Sequence, residues 1–232
     1  MPSSIISHQA PALLIKLKYP KKIDGTAICL STIVPDFNLF FGAIFSYQVR
    51  SISHSLLGLI IWTLPFTILT TIIFAKYIGP WFARLANKSN PIAKIFNYFG
   101  VDTWSYLKNK RFDKRFFIVA SYSAIIGGFT HLLLDLPSHE YIELFAPFFI
   151  LESPDFLLIT LAHHGTFTTP FGTIEATLTV YRLIWMLETL ILILPTLYFL
   201  RYIKKENLME DWNSNEEDVI KNDSLHHSKK DL

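Results

Sequence analysis

The residues best able to do chemistry lie in one apolar stretch, His131-Leu132-Leu133-Leu134-Asp135-Leu136-Pro137-Ser138-His139. On a helix, positions i and i+4 share a face, so His131 and Asp135 present an imidazole and a carboxylate in one direction. That pairing is a common start to a chelate. Pro137 cannot continue the helical hydrogen-bond ladder, and a bend there can bring His139 back toward the other two. Such a set suits zinc, and also manganese or iron, better than calcium or copper(I). Cys29 is the single cysteine, so intramolecular disulfides and cysteine-rich metal sites are excluded.

The elements that must hold these residues are membrane segments. The 232-residue chain is 51% hydrophobic and only 17% charged, against about a quarter charged in soluble domains. Ser55 to Ala75 runs 21 residues without a charge, enough to cross about 30 Å of hydrocarbon; Pro65 within it predicts a kink. Phe116 to Leu136 carries Gly127-Gly128 and then His131 and Asp135 near its end. Leu183 to Leu200 contains Glu188 and Pro195 and is followed by Arg201, Lys204 and Lys205. Thr26 to Ser46 is long enough to span but has Pro35-Asp36 at its centre. Tyr141 to Ala162, interrupted by Glu143, Pro147, Glu152, Pro154 and Asp155, reads as a broken or re-entrant segment.

The expected fold is therefore all-α: a polytopic membrane helical bundle of three to five membrane segments, some re-entrant, over residues 1–205. Residues 206–232, with eight acids and three bases, read as a disordered acidic tail whose His226-His227 pair is solvated. Met1 to Ala12 lacks the basic and apolar regions of a removable signal peptide. Residues 76–115 hold nine Lys or Arg and two acids, which puts this loop, and with it the tail, in the cytoplasm. His54 and the Asp135–His139 region then share the outer end of an antiparallel helix pair. Trp81, Tyr98, Trp104 and Tyr106 read as interfacial anchors.

Ionisable groups within hydrocarbon are costly and mark functional sites. His54 lies at the same predicted depth as Asp135, and Asp36 sits in an apolar stretch where it needs a partner. His8 joins only if Thr26–Ser46 does not span. Glu188 fits a general base, a proton relay or, preferentially, an interhelical hydrogen-bond partner. His163-His164, followed by Gly165, reads as a polar loop.

The order Ser7-His8, Val34-Pro35-Asp36-Phe37, Ser53-His54-Ser55-Leu56-Leu57-Gly58 and Thr130-His131-Leu132-Leu133-Leu134-Asp135 resembles a bacterial membrane-protein family of unknown function, over about residues 1 to 200. More distantly, the succession is similar to inner-membrane metal-dependent hydrolases and to the all-helical zinc-dependent phospholipase C. That resemblance implies His8, Asp36, His54, His131, Asp135 and His139 as metal ligands. The further His-x-x-x-Glu of the phospholipase pattern is missing after His139, which puts a three-metal cluster in doubt.

The expected function is a membrane-embedded, metal-dependent hydrolase of a lipid-linked or amphipathic phosphoester. A divalent metal, zinc foremost, would be its cofactor, Asp36 and Asp135 its catalytic carboxylates, and membrane lipids its partners. No feature points to nucleic acid. The alternatives are a metal or proton transporter or sensor, with ligands spread through the bilayer depth, and a non-catalytic scaffold that binds no metal.

Overall fold

The computed structural model describes residues 4–37, 51–169 and 172–213. Three helices are long and apolar enough to cross a membrane: Leu56–Ala86, Lys114–Ser138 and Val180–Lys205. The chain opens with α1 (Ser4–Ser7) and α2 (Gln9–Lys18), turns, and continues as α3 (Gly25–Ser31) and a 3-10 turn at Val34–Asp36. The first long helix, α4 (Leu56–Ala86), is followed by the short α5 (Pro91–Tyr98) and a 3-10 stretch, Val101–Asn109. The second, α6 (Lys114–Asp135), is extended by a 3-10 turn to Ser138. After a short α7 (Asp155–Leu158), the third long helix is α8 (Val180–Lys205), and α9 (Leu208–Asn213) closes the described chain.

Helix α4 begins at Ser55, whose hydroxyl caps the Gly58 amide at 3.0 Å, and continues past Ala75 to Ala86. It therefore includes Lys76 and Arg84, which the sequence reading places in a loop. Its two internal prolines are each preceded by a wide π turn, Leu59–Thr63 before Pro65 and Phe74–Ile78 before Pro80. A π turn widens the ladder where proline has no N–H to give, which lets the helix run on.

Helix α6 starts at the Asp113 cap, whose carboxylate accepts from the Phe116 amide at 2.8 Å. Its glycine pair sets how closely the bundle packs. A Cβ at Gly127 would meet the Ser31 hydroxyl and lie 2.5 Å from the Ile28 carbonyl oxygen, and one at Gly128 would lie 2.8 Å from Leu59 and Thr63 side-chain carbons. One helical turn before His131, α6 thus meets α3 on one side and α4 on the other. Small residues serve this purpose in membrane bundles, and Thr63, Thr67 and Thr71 of α4 are likewise fully buried.

Residues 4–37 form a helical hairpin. Its turn is fastened by Lys110, which bridges to the Asp24 carboxylate at 2.7 Å, and by the Tyr122 hydroxyl, which donates to the Lys22 carbonyl. Lys16 is buried in it, donating to the Pro20 and Ile23 carbonyls at 2.6 and 2.8 Å, and burial lowers its pKa to about 8. Thr26–Ser46 is accordingly no continuous spanning helix as far as it is described: α3 stops after seven residues, ahead of Pro35, which disfavours helix in the residue before it. Residues 38–46 lie outside the described residues.

Helix α8 is peripheral. Leu190, Ile191, Leu194 and Tyr198 are each at least 64% exposed, a large apolar face of the kind that lies against lipid. It docks on the N-terminal helices, with the Thr196 hydroxyl donating to the Ile6 carbonyl at 3.0 Å.

The all-α expectation is corrected by two small antiparallel sheets between α6 and α8. One pairs β1 (Tyr141–Ile142) with β2 (Leu151–Glu152). The other pairs β3 (Thr160–Thr169) with β4 (Gly172–Thr179), placing His163 on a strand rather than in a loop. Threonine-rich alternation suits a pleated strand, and among the described residues the connection holds only the short α7 besides its strands. The first eight residues of the expected tail are also ordered into a turn and α9, where Glu210 accepts from the Tyr106 hydroxyl at 3.1 Å; His226 and His227 lie outside the described residues.

The Gly127→Ala protein tests the close approach. Alanine is the better helix former by about 1 kcal/mol, yet its methyl would strike Ile28 backbone and Ser31. The variant is expected to unfold several degrees below the wild type in detergent, by differential scanning fluorimetry. An unchanged or raised midpoint would contradict the packing described.

Candidate metal centre

Four separate elements carry imidazoles and carboxylates to one point, at the end of α6 opposite Lys114 and Arg115. His8 comes from the junction of α1 and α2, Asp36 from the 3-10 turn, His54 from the residues before α4, and His131 and Asp135 from α6. His8, Asp36, His54 and His131 are all buried.

The local sequence explains how each side chain is aimed. The His131 Nδ1 lies 2.8 Å from the Thr32 carbonyl oxygen. A carbonyl only accepts, so Nδ1 carries a proton and Nε2 is the nitrogen turned toward the carboxylates. That Nε2 is buried and makes no hydrogen bond. It nevertheless lies 3.1 Å from Asp135 Oδ2, a close approach without hydrogen-bond alignment. At His54, Nδ1 is 3.0 Å from the Ser53 hydroxyl. That hydroxyl donates to the Pro35 carbonyl at 3.1 Å, so its lone pairs can accept from the imidazole. His54 Nε2 then faces Asp36 Oδ1 at 3.3 Å and Asp135 Oδ2 at 3.7 Å. Burial works against ionisation of Asp36, but the hydrogen bond with His54 and the charge of His131 hold its carboxyl below the ordinary range.

Asp135 turns its other oxygen the opposite way. Oδ1 lies 3.9 Å from His8 Nε2 and 3.9 Å from His139 Nδ1. His8 Nδ1 is 2.8 Å from His131 Nδ1. Ligand atoms of His8, His131 and Asp135, and those of Asp36, His54 and His131, each fall within 4.8 Å of one another. A tetrahedral ion with bonds near 2.0–2.1 Å holds its ligand atoms about 3.3 Å apart. The closest separations in the cluster bracket that value.

His8 thus stands with the others, because the hairpin returns rather than spans. His139 stands at the rim. Its Nδ1 is 3.1 Å from its neighbour Asp135's carbonyl oxygen and 3.2 Å from the Ser138 hydroxyl, and it belongs to neither grouping of ligand atoms. His163 is exposed on β3.

Glu188, read from sequence mainly as an interhelical hydrogen-bond partner, faces the cluster instead. Its Oε1 is 3.5 Å from His8 Nε2 and is buried without a hydrogen-bond partner. The available signal was that it is the one acid within the apolar span of α8. His131 Nε2 thus faces carboxylate oxygens at close range. A proton on that nitrogen satisfies them as an ion pair, and the same atoms are of the types that take a divalent cation.

The architecture is that of a mostly helical protein, with three helices long and apolar enough to cross a membrane and a buried cluster of histidine and carboxylate side chains. By sequence the chain belongs to the family described as Domain of unknown function (DUF4184), which matches residues 1–223. No curated protein and no solved structure matches it.

Glu188→Leu separates stability from binding. Removing a buried, unpartnered polar group relieves about 1–3 kcal/mol, so chelator-treated Glu188→Leu protein is expected to unfold a few degrees above chelator-treated wild type. A lowered midpoint would mean that Glu188 is satisfied by its surroundings.

Proposed function

We propose that the protein is a membrane-embedded, metal-dependent hydrolase acting on the phosphoester of a lipid-linked or otherwise amphipathic substrate at the membrane interface. The observation that carries this reading is His131: fully buried, with its Nδ1 proton committed to the Thr32 carbonyl and its Nε2 turned toward Asp135 at 3.1 Å, in two groupings of possible ligand atoms. Metal-ligating histidines characteristically give their second nitrogen to a backbone carbonyl. A divalent cation, zinc by the character of the ligands, supplies Lewis acidity and an activated water when bound.

His8, His131 and Asp135, whose ligand atoms lie within 4.8 Å of one another, would be the holding groups and would leave a fourth position for water. Asp36, outside that grouping, would accept the proton from the attacking water. His54 Nε2, 3.3 Å from Asp36 Oδ1, keeps that carboxylate oriented. His139, at the rim, is placed to meet a substrate rather than the buried ligands.

An apolar loop beside the site supports a lipid-like substrate. Phe148, Phe149, Ile150 and Leu151 are all more than 40% exposed, Phe148 as much as 80%. The loop is tied directly to the site's supports: the Leu56 amide donates to the Leu144 carbonyl at 2.9 Å, the Ser51 hydroxyl to Glu143 at 2.9 Å, and the Ser153 hydroxyl to the His139 carbonyl at 2.7 Å. An acyl chain lying on this loop would bring its head group to His139. The single cluster, with Glu188 inside it, fits an enzyme better than a path distributed through the bilayer.

Two measurements test the reading. Elemental analysis of protein purified in detergent should find at least one divalent metal per chain, lost in His131→Ala and in Asp135→Ala. In vesicles containing phosphomonoester and phosphodiester lipids, Asp36→Asn should retain metal while head-group or phosphate release falls about 10²-fold or more. Metal unaffected by His131→Ala would sink the site. Metal flux without hydrolysis would instead establish the transporter, and no stoichiometric metal the scaffold.

A further inference from the structure

The far end of the bundle carries a second feature that the hydrolase reading does not use. Where α4 ends and the last turn of α8 passes α5, an open pocket of about 420 Å³ is lined by Lys88, Lys94, Asn97, Tyr98, Arg201 and Lys204. Its four cations are not equivalent. Lys204 forms the floor: its ammonium donates to the Asn97 carbonyl, to Asn97 Oδ1 at 2.6 Å and to Asp102 Oδ1 at 3.0 Å. Asp102 is thereby committed. Arg201 is held flat, its guanidinium 4.4 Å from the Tyr98 ring centroid and one N–H donating to the Tyr98 carbonyl at 3.2 Å. Lys88 and Lys94 are exposed and have no carboxylate within ion-pair distance among the described residues.

Helix α5 places this charge at a membrane surface. It is capped by Asn90, which accepts from the Ala93 amide at 2.7 Å. Ile92, Ile95 and Tyr98, spaced three apart on one face, are 65%, 57% and 54% exposed, while Ala93 is buried. A short helix with that face, joined to the ends of two long apolar helices and flanked by exposed Tyr77 and Trp81, lies in the interfacial plane. Its apolar face enters the acyl boundary and Lys94 stands at head-group level.

We infer that this pocket is a binding site for the phosphate of an anionic phospholipid in the adjoining leaflet. Arg201, preorganised by stacking, offers paired N–H donors to two phosphate oxygens. Lys88 and Lys94 supply charge from the sides, and the acyl chains lie against Ile92 and Ile95. Basic pockets between membrane helices on the basic side of a protein recognise lipid head groups in this way.

The test uses the full chain in neutral detergent, with bound lipid counted by native mass spectrometry. Wild type should retain phosphatidylglycerol in preference to phosphatidylcholine, and Lys88→Gln/Lys94→Gln/Arg201→Gln should lose at least about tenfold of that preference. Lys204 is left intact because it braces the fold. Lys18→Gln/Lys21→Gln/Lys22→Gln removes the same charge from the exposed turn of the N-terminal hairpin and should retain the preference. Equal retention of the two lipids by wild type, or equal loss in both triple variants, would overturn the site. Displacement of the lipid by millimolar inorganic phosphate would also overturn it, since the pocket would then take free phosphate without needing the acyl chains.

Discussion

Burying Asp135 at the end of a long apolar helix is the constraint from which the rest of the structure follows. A carboxylate taken out of water is costly unless it is paired and hydrogen-bonded. The chain surrounds it with His131 from the same helix, His54 from the approach to α4 and His8 from the N-terminal hairpin. No single element could supply these groups. Three backbones must come within a side chain's length of α6, and the Gly127-Gly128 pair permits two of those approaches by removing the methyl groups that would block α3 and α4. Packing and polar chemistry are therefore one problem here, settled within a single turn of helix.

The two ends of the bundle differ in kind. At the end bearing Lys114, the turn of the hairpin, the Val101–Asn109 stretch and the last turn of α8 are joined by ion pairs, Lys110 with Asp24 and Lys204 with Asp102. At the other end the Ser51, Ser53 and Ser153 hydroxyls donate hydrogen bonds and the Ser55 hydroxyl accepts one. Charged links brace the end away from the site, whereas short hydroxyls near it leave the electrostatics to the histidines and carboxylates. Helix α8 contributes little core, so its lipid-facing surface and Glu188 are separable roles of one element.

Much of this was legible in the residues. The i, i+4 spacing of His131 and Asp135 and the uncharged run after Ser55 each follow from local periodicity, and the basic loop grouped His54 with Asp135 by charge alone. What stayed out of reach depends on contacts distant in sequence. His8 joins the cluster because Lys110 and Tyr122 fasten a turn about a hundred residues away. Glu188 reaches it because Thr196 hooks onto Ile6. The hairpin Thr160–Thr179 did carry a local signal, in its threonine alternation and Gly165, but the apolar content of the preceding segment masked it. His139 stands at the rim, its Nδ1 turned toward Asp135's carbonyl, an orientation that spacing alone does not give.

The break after α3 ties these observations together. A helix that ends at Ser31 leaves the following carbonyls without the amides that a continuing helix would bring, and a buried carbonyl must find another donor. Pro35 ensures that the break persists. The Thr32 carbonyl accepts from His131, the Val34 carbonyl from the Trp62 indole at 3.1 Å, and the Pro35 carbonyl from Ser53. Two of these three bonds orient the imidazoles of the centre, one directly and one through a serine. The interruption that disqualifies residues 26–46 as a simple span is thus the source of the acceptors that fix which nitrogen of each histidine faces inward. A continuous helix there would have pointed those carbonyls along its own axis rather than toward the imidazoles.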